Sequence, residues 1–274
     1  MSLSWSVIRY MVNQYDYLSL THYLSQYPQL NSKKIERLTQ LGQAIIDVDL
    51  KTINQLASSK ENFLTSPKPL PGRIYFYTQS LNIQRQHKEY ADYLRRITPL
   101  LVDVFQWIIV SYMFPNWNQF IEKHFIQIDG KKLYKGLRFN EEAVKEKGAK
   151  IEKVWNEHYP HGFDYRVYIS SSHLLKLIDA GVKDSIIVKK ADQLRQIEKQ
   201  ARNLVAHEIV YVNDEWVKKR TGYTIKEIHH LLMELITLAG LDDNQLWNSL
   251  ELINQQLLSL IGQQIKQLEN NKGE

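Results

Sequence analysis

The sequence of 274 residues contains no cysteine. This absence excludes disulfide bonds, cysteine nucleophiles and zinc sites with cysteine ligands. It also agrees with a reducing compartment, so we expect a cytoplasmic protein. Long apolar runs are missing as well. The most apolar stretch, 97–114, carries several polar residues, and we therefore expect a buried core helix there rather than a membrane span. No membrane partner and no signal peptide are expected.

Glycine and proline are sparse, with 11 and 7 residues. Because both residues interrupt helices, their scarcity favours long helices. They cluster at 66–72, where three prolines and a glycine predict a loop. We take this loop as the boundary between an N-terminal helical connector, residues 1–70, and a main domain, residues 71–274.

One segment departs from helical patterning. Between Phe125 and Phe139, apolar residues recur on either side of Asp129-Gly130, a dipeptide typical of tight turns, so the pattern predicts a small β-hairpin. The charged stretch 141–157 predicts one exposed helix. The sequence as a whole therefore indicates a mainly α fold, a helical bundle with a hairpin insertion.

The net charge of +5 is mild and permits an acidic partner such as RNA without requiring one. The segment 210–222 is predicted to be irregular and basic. Its three consecutive cations, Lys218, Lys219 and Arg220, are candidates for phosphate contacts along an RNA path. An ordinary solvated basic loop is an equally good interpretation.

A helix is predicted over about 183–207, and it closes with the hexapeptide Arg202-Asn203-Leu204-Val205-Ala206-His207. A guanidinium, an amide and an imidazole are side chains suited to hold a phosphodiester and transfer a proton on it. Positions five apart on a helix differ by about 140°, so Arg202 and His207 do not stack on one face, and they flank a common edge if the helix ends near His207. This geometry suits a site at a helix end that is completed by a second copy of the helix. The alternative is a charged face that ends in a histidine favoured by the helix dipole.

Two further features of this helix can be read from the pattern. Glu198 precedes Arg202 by one turn and either orients its guanidinium or forms a plain surface pair with it. The buried stripe of the helix is predicted to consist of Ile186, Leu194, Ile197, Ala201, Leu204 and Val205.

The pattern Arg202-Asn203-x-x-Ala206-His207 resembles the active-site motif of HEPN ribonucleases. It looks most like the C-terminal nuclease part of the CARF–HEPN ribonucleases of type III-A CRISPR systems (the Csm family). The resemblance implies a helical bundle of HEPN type and a metal-independent endoribonuclease without a cofactor. In such an enzyme the 2′-hydroxyl of single-stranded RNA attacks the adjacent phosphate and leaves a 2′,3′-cyclic phosphate.

The same resemblance assigns roles to the motif residues. His207 acts as acid or base, Arg202 stabilises charge on the phosphoryl oxygens, and Asn203 binds the phosphate or orients His207. It also implies a homodimer with a composite active site in antiviral defence. Cyclic oligoadenylate is expected as a partner only through a CARF sensor domain, which is not evident in this sequence.

Two other functions remain open from the residues. The first alternative is a toxin-type HEPN ribonuclease outside CRISPR. The second is a non-enzymatic helical module for RNA binding or protein interaction. His158 and His161 stand three apart in a loop, a weak metal signal, and they are expected to be surface histidines with no metal site.

Overall fold

The structure is a computed structural model that describes residues 4–207 and 211–270, except for the side chains of 202–204, 206 and 207. Helices dominate the described chain, which confirms the predicted mainly α fold class. In chain order they are α1 (Trp5–Asn13), α2 (Tyr17–Ser25), α3 (Lys33–Ile46), α4 (Leu50–Leu56), α5 (Pro69–Gln86), α6 (Tyr90–Tyr112), α7 (Glu141–Lys147), α8 (Ala149–His158), α9 (Ser171–Gly181), α10 (Ser185–His207), α11 (Asp214–Thr221), α12 (Ile225–Leu238), α13 (Asn244–Trp247) and α14 (Ser249–Asn270). Short 3₁₀ segments lie at Pro28–Leu30, Ser59–Thr65 and Trp117–Phe120. Among the helices described, none is long and apolar enough to cross a bilayer.

The predicted β-hairpin is present. Strands β1 (Ile121–Ile128) and β2 (Lys131–Phe139) pair antiparallel, and Ile128 faces Lys131 across the turn. Asp129 and Gly130 both have left-handed backbones, with φ of 51° and 74°. Two left-handed central residues match the twist of a two-residue hairpin turn, which explains the Asp-Gly signal.

Three local predictions were wrong. Helix α5 begins at Pro69, inside the predicted 66–72 loop, because the first turn of a helix leaves its N–H groups without intrahelical acceptors and therefore tolerates proline. The predicted single helix at 141–157 is two helices, α7 and α8, separated at Gly148. The predicted irregular segment at 210–222 contains helix α11. Asn213 caps this helix, and Gly222 ends it with a φ of 80°.

The chain divides into two compact units, one of residues 1–89 and 241–274 and one of residues 90–240. In the first, the buried Tyr17 hydroxyl donates to Asn254 Oδ1 at 2.6 Å, and Asn254 Nδ2 donates to the Val12 carbonyl at 2.9 Å. These bonds join α14 to α1 and α2. The division into a connector (1–70) and a nuclease domain (71–274), which rests on the proline-rich stretch 66–72, stays a prediction.

The second unit is built around α6, which packs against α9 and α10. Trp107 and Tyr112 on α6 donate to the carbonyls of Ala239 and Leu238, both at 3.0 Å. The last carbonyls of a helix lack intrahelical donors, so these bonds satisfy the end of α12. The base of the hairpin is held by Phe139, which is buried in a ring cluster. Its other members are Trp117, Trp155, Phe163 and His173.

Candidate active site

Helix α10 carries the Arg202–His207 motif on its last two turns. The bounds of the helix, Ser185–His207, agree with the range predicted from the sequence. The side chains of Arg202, Asn203 and His207 lie outside the described residues, so their catalytic roles stay predictions. The backbone of the motif and the residues packed around it define the environment of the candidate site.

The buried stripe of α10 starts one residue later than predicted. Ile186 is 56% exposed, whereas Ile187 is fully buried. From Ile187 the buried positions alternate in steps of four and three, the spacing that keeps one helix face toward the core. Leu194, Ile197, Ala201 and Val205 are buried as predicted, and the side chain of Leu204 is not among those described. The stripe runs through Ile187, Ala191, Leu194, Glu198, Ala201 and Val205.

One member of this stripe is charged. The side chain of Glu198 is only 3% exposed. Its Oε2 accepts a hydrogen bond from Ser171 Oγ at 2.7 Å and lies 3.5 Å from Arg195 Nη1. A buried carboxylate needs such partners, because its desolvation would otherwise be costly. Glu198 therefore joins α10 to the first residue of α9, and its interpretation as a plain surface pair is wrong.

A second contact reaches the motif itself. Arg95 on α6 donates from Nε to the carbonyl oxygen of Val205 at 3.0 Å, and its Nη1 donates to Asp92 Oδ1 at 2.8 Å. The guanidinium thus satisfies a carbonyl in the last turn of α10 and places a cation at the negative end of the helix dipole. No local pattern in the sequence indicated Arg95, because its contact with Val205 spans more than a hundred residues.

A cleft of about 340 Å³ lies beside α10 on the side facing α9. Lys176, Arg195 and Lys199 supply positive charge to its lining, and Asp179 and Asp192 supply negative charge. Burial lowers the pKa of Lys176, and the nearby charge of Arg195 lowers it further. Two cations held close together in this way favour an anion between them.

Part of the cleft lining shares a face of α10 with the first position of the motif. Positions 195, 199 and 202 follow an i, i+4, i+7 spacing, which keeps them within about 60° of one another around the helix axis. The Arg195 and Lys199 positions of the cleft lining therefore share a helix face with position 202.

The predicted phosphate-contact residues are on a helix and not in a loop. Lys218, Lys219 and Arg220 are exposed in the last turn of α11, and the Arg220 guanidinium lies 4.5 Å from the ring centroid of Trp216. Helix α11 packs against α10 and α12. It is fixed by Asp214, which accepts hydrogen bonds from the Tyr90 hydroxyl and the Ile225 amide. Among the side chains that the structure describes, no group of three or more histidine, aspartate or glutamate residues is placed to hold a metal ion.

Comparison with known proteins gives a family and a fold. The family model described as the Cas_Csm6 HEPN domain matches residues 63–258, a range that includes the motif. Among solved structures, Enterococcus italicus Csm6 bound to cyclic hexa-2′-fluoro-hexa-dAMP aligns with a TM-score of 0.60 at 14% identity. The alignment covers 93% of this chain and 55% of that chain, so this chain spans about half the length of that protein. None of the curated proteins matches.

Proposed function

The chain belongs to the Csm6 HEPN domain family, and on that premise we propose that it is a CRISPR-associated endoribonuclease that cleaves single-stranded RNA in the cytoplasm. The observation that carries this proposal is the family match over residues 63–258, because it includes the Arg202–His207 motif at the end of α10. The resemblance of this motif to the HEPN active site was noted from the sequence, and the family match agrees with it.

The proposed chemistry uses the RNA 2′-hydroxyl as the nucleophile. The 2′-oxygen attacks the adjacent phosphorus, the bond to the 5′-oxygen breaks, and a 2′,3′-cyclic phosphate and a 5′-hydroxyl remain. His207 takes the proton from the 2′-hydroxyl or gives one to the leaving 5′-oxygen near neutral pH. Arg202 stabilises the charge that develops on the phosphoryl oxygens, and Asn203 binds the phosphate or orients His207. The mechanism needs no metal ion.

We place the active site at a twofold axis. A motif at a helix end supplies few groups, and a second copy of the same helix end doubles them in an isologous homodimer. Two observations support the path of the RNA toward this site. The cations Arg195 and Lys199 share a helix face with position 202, and the exposed Lys218 and Lys219 lie on a helix packed against α10.

The Enterococcus italicus structure holds cyclic hexa-2′-fluoro-hexa-dAMP. We propose that a response of this protein to such a ligand requires a sensor domain that is not evident in these residues.

The proposal is tested by cleavage of a fluorescent single-stranded RNA in EDTA. We expect wild-type protein to cleave it and to leave cyclic-phosphate ends, and Arg202→Ala and His207→Ala to abolish cleavage. Arg166→Ala and His161→Ala serve as matched controls at exposed positions, and both should cleave like the wild type. A 2′-deoxy substitution at the scissile nucleotide should block the reaction.

Other outcomes contradict parts of the proposal. Equal cleavage by all variants would place the activity elsewhere. Metal-dependent cleavage would refute the mechanism while leaving the motif in place. No cleavage at any concentration, with RNA binding retained, would favour the non-enzymatic RNA-binding module. A monomer in sedimentation, at a concentration at which the protein cleaves RNA, would contradict the composite dimeric site.

A further inference from the structure

The β-hairpin carries an unusual share of the positive charge of the chain. Residues 121–139 contain five basic and two acidic side chains, a net charge of +3 against +5 for the whole sequence. The basic residues are Lys123, Lys131, Lys132, Lys135 and Arg138. A local excess of this size on a largely exposed element attracts a polyanion.

The same hairpin exposes aromatic rings. Phe125 is 44% exposed and Tyr134 is 54% exposed, although large aromatic side chains are normally buried. The two residues pair directly across the strands, and their ring centroids are 5.8 Å apart with planes inclined at 63°. Lys132 Nζ lies 5.9 Å from the centroid of the Phe125 ring. We call Phe125, Tyr134 and Lys132 the ring face of the hairpin.

The ring face is anchored at its base. Phe139, at the end of β2, is buried in the ring cluster around Trp155, and the Ile169 amide donates to the Leu137 carbonyl at 2.8 Å. The outer half of the hairpin is therefore presented on a fixed stem. A rigid pair of rings loses little conformational entropy when a flat ligand stacks on it.

Exposed rings next to cations are the arrangement with which proteins bind single-stranded nucleic acid. Every base offers a π-face to the ring, and the cation beside the ring meets the phosphate of the same strand. We propose that the ring face binds single-stranded RNA, with bases stacked on Phe125 and Tyr134 and a phosphate held by Lys132. This inference rests on the proposed function, because the RNA substrate is part of it. The charge excess favours RNA over an apolar protein partner for this face.

The test measures RNA binding by the full chain in a His207→Ala background, which keeps the RNA intact during the measurement. The probe is a 5′-fluorescein single-stranded RNA of about 20 nucleotides, followed by anisotropy. The double variant Phe125→Leu/Tyr134→Leu removes the π-faces and keeps apolar bulk, so we expect about a tenfold loss of affinity. Lys132→Ala should lower both the affinity and the salt dependence of binding.

Matched controls come from exposed positions on other elements. Tyr10→Leu, at a tyrosine 67% exposed on α1, and Lys150→Ala on α8 should bind like the parent. Thermal unfolding should be unchanged in all of these variants, because the substituted side chains lie on the surface. Ultraviolet crosslinking of 5-bromouridine RNA should label Tyr134 or Phe125 in the parent protein.

Two results would overturn the inference. Unchanged RNA affinity in the Phe125→Leu/Tyr134→Leu variant would show that bases do not stack on the hairpin. If the same variant no longer dimerises in sedimentation while its RNA affinity is unchanged, the ring face binds a second copy of the chain and not RNA. Cleavage by the wild type is scored separately, so a chain that binds RNA through the ring face but never cleaves it refutes the proposed function and not this inference.

Discussion

Arg95 Nε donates a hydrogen bond to the carbonyl oxygen of Val205, 3.0 Å away, inside the six-residue motif of α10. The donor is on α6 and the acceptor is two residues before His207. The contact holds the last turn of the motif helix against α6. It makes Arg95 a positioning residue for the proposed catalytic side chains, with no contact to substrate required.

We expect Arg95→Ala to reduce kcat/KM for RNA cleavage by about tenfold, because loss of a charge-assisted hydrogen bond costs about 1.5 kcal/mol and loosens the end of α10. The fall should be in kcat rather than in KM, and Arg95→Lys should restore part of it. Arg166→Ala is the matched control, since Arg166 also pairs with a nearby aspartate, at 2.9 Å from Asp164. A pure loss of thermal stability, with kcat intact in the remaining folded protein, would contradict the positioning role.

Glu198 gives a prediction about stability. Glu198→Ala leaves the Ser171 hydroxyl and Arg195 without this carboxylate, and we expect a loss of about 2 kcal/mol in the free energy of unfolding. This corresponds to a fall in Tm of about 5 °C. Glu198→Gln keeps an oxygen that can accept from Ser171, and it should cost less than half as much.

A double-mutant cycle of Ser171→Ala and Glu198→Ala isolates the bond between these two side chains. We expect the two losses to be non-additive by about 1 kcal/mol, as for residues in direct contact. Strict additivity in thermal unfolding would show that the bond contributes nothing to stability.

His173 predicts a dependence of stability on pH. Burial in the ring cluster lowers the pKa of its imidazole from 6.5 to about 4, and the charge of Lys176 adds to the shift. Between pH 6.5 and about 4, His173 is protonated in the unfolded chain but neutral in the folded protein. The free energy of unfolding therefore falls as the pH falls through this range. Neutral His173 also accepts the Ser170 amide at 3.2 Å, a bond that protonation would remove.

The contribution of His173 to this loss should be about 1–2 kcal/mol after screening by solvent. Chemical unfolding at several pH values measures it. His173→Gln keeps an acceptor for the cap of α9 and removes the titration, so its stability should vary less over this pH range than that of the wild type. Parallel pH profiles for the two proteins would exclude His173 as the cause.

Lys218 and Lys219 predict the salt dependence of RNA binding. If both contact phosphates, Lys218→Ala/Lys219→Ala should weaken binding to all RNA sequences alike and reduce the slope of log K against log salt by about 1.4. The matched control is Lys33→Ala/Lys34→Ala, an exposed adjacent pair at the start of α3. Equal slopes for the two double variants would show that Lys218 and Lys219 do not contact RNA phosphates.

Arg220 should behave differently from the two lysines. Its guanidinium is 4.5 Å from the ring centroid of Trp216, so Arg220→Ala removes a cation–π contact as well as a charge. We expect it to lower the Tm slightly, which the lysine substitutions should not do. Differential scanning fluorimetry separates the two cases.

Local signals in the sequence predicted well where a few adjacent residues decide the structure. Asp129-Gly130 predicted the hairpin because its turn requires two left-handed residues in sequence. The capping signals around α11 are equally local, with Asn213 before the helix and Gly222 after it, although the basic composition between them is also typical of a solvated loop. The Pro69 start of α5 differs from the predicted loop because the first turn of a helix accepts proline.

The sequence alone determined the helical class, the hairpin and the position of the Arg202–His207 motif at the end of a helix. These follow from periodicity, turn chemistry and the order of residues along the chain. Tertiary structure decided that Glu198 is buried against α9, that Arg95 reaches Val205, and that Phe125 and Tyr134 stay exposed on the hairpin. The reason is physical, since burial and long-range hydrogen bonds depend on which surfaces meet, and residues distant along the chain leave no local pattern of their meeting.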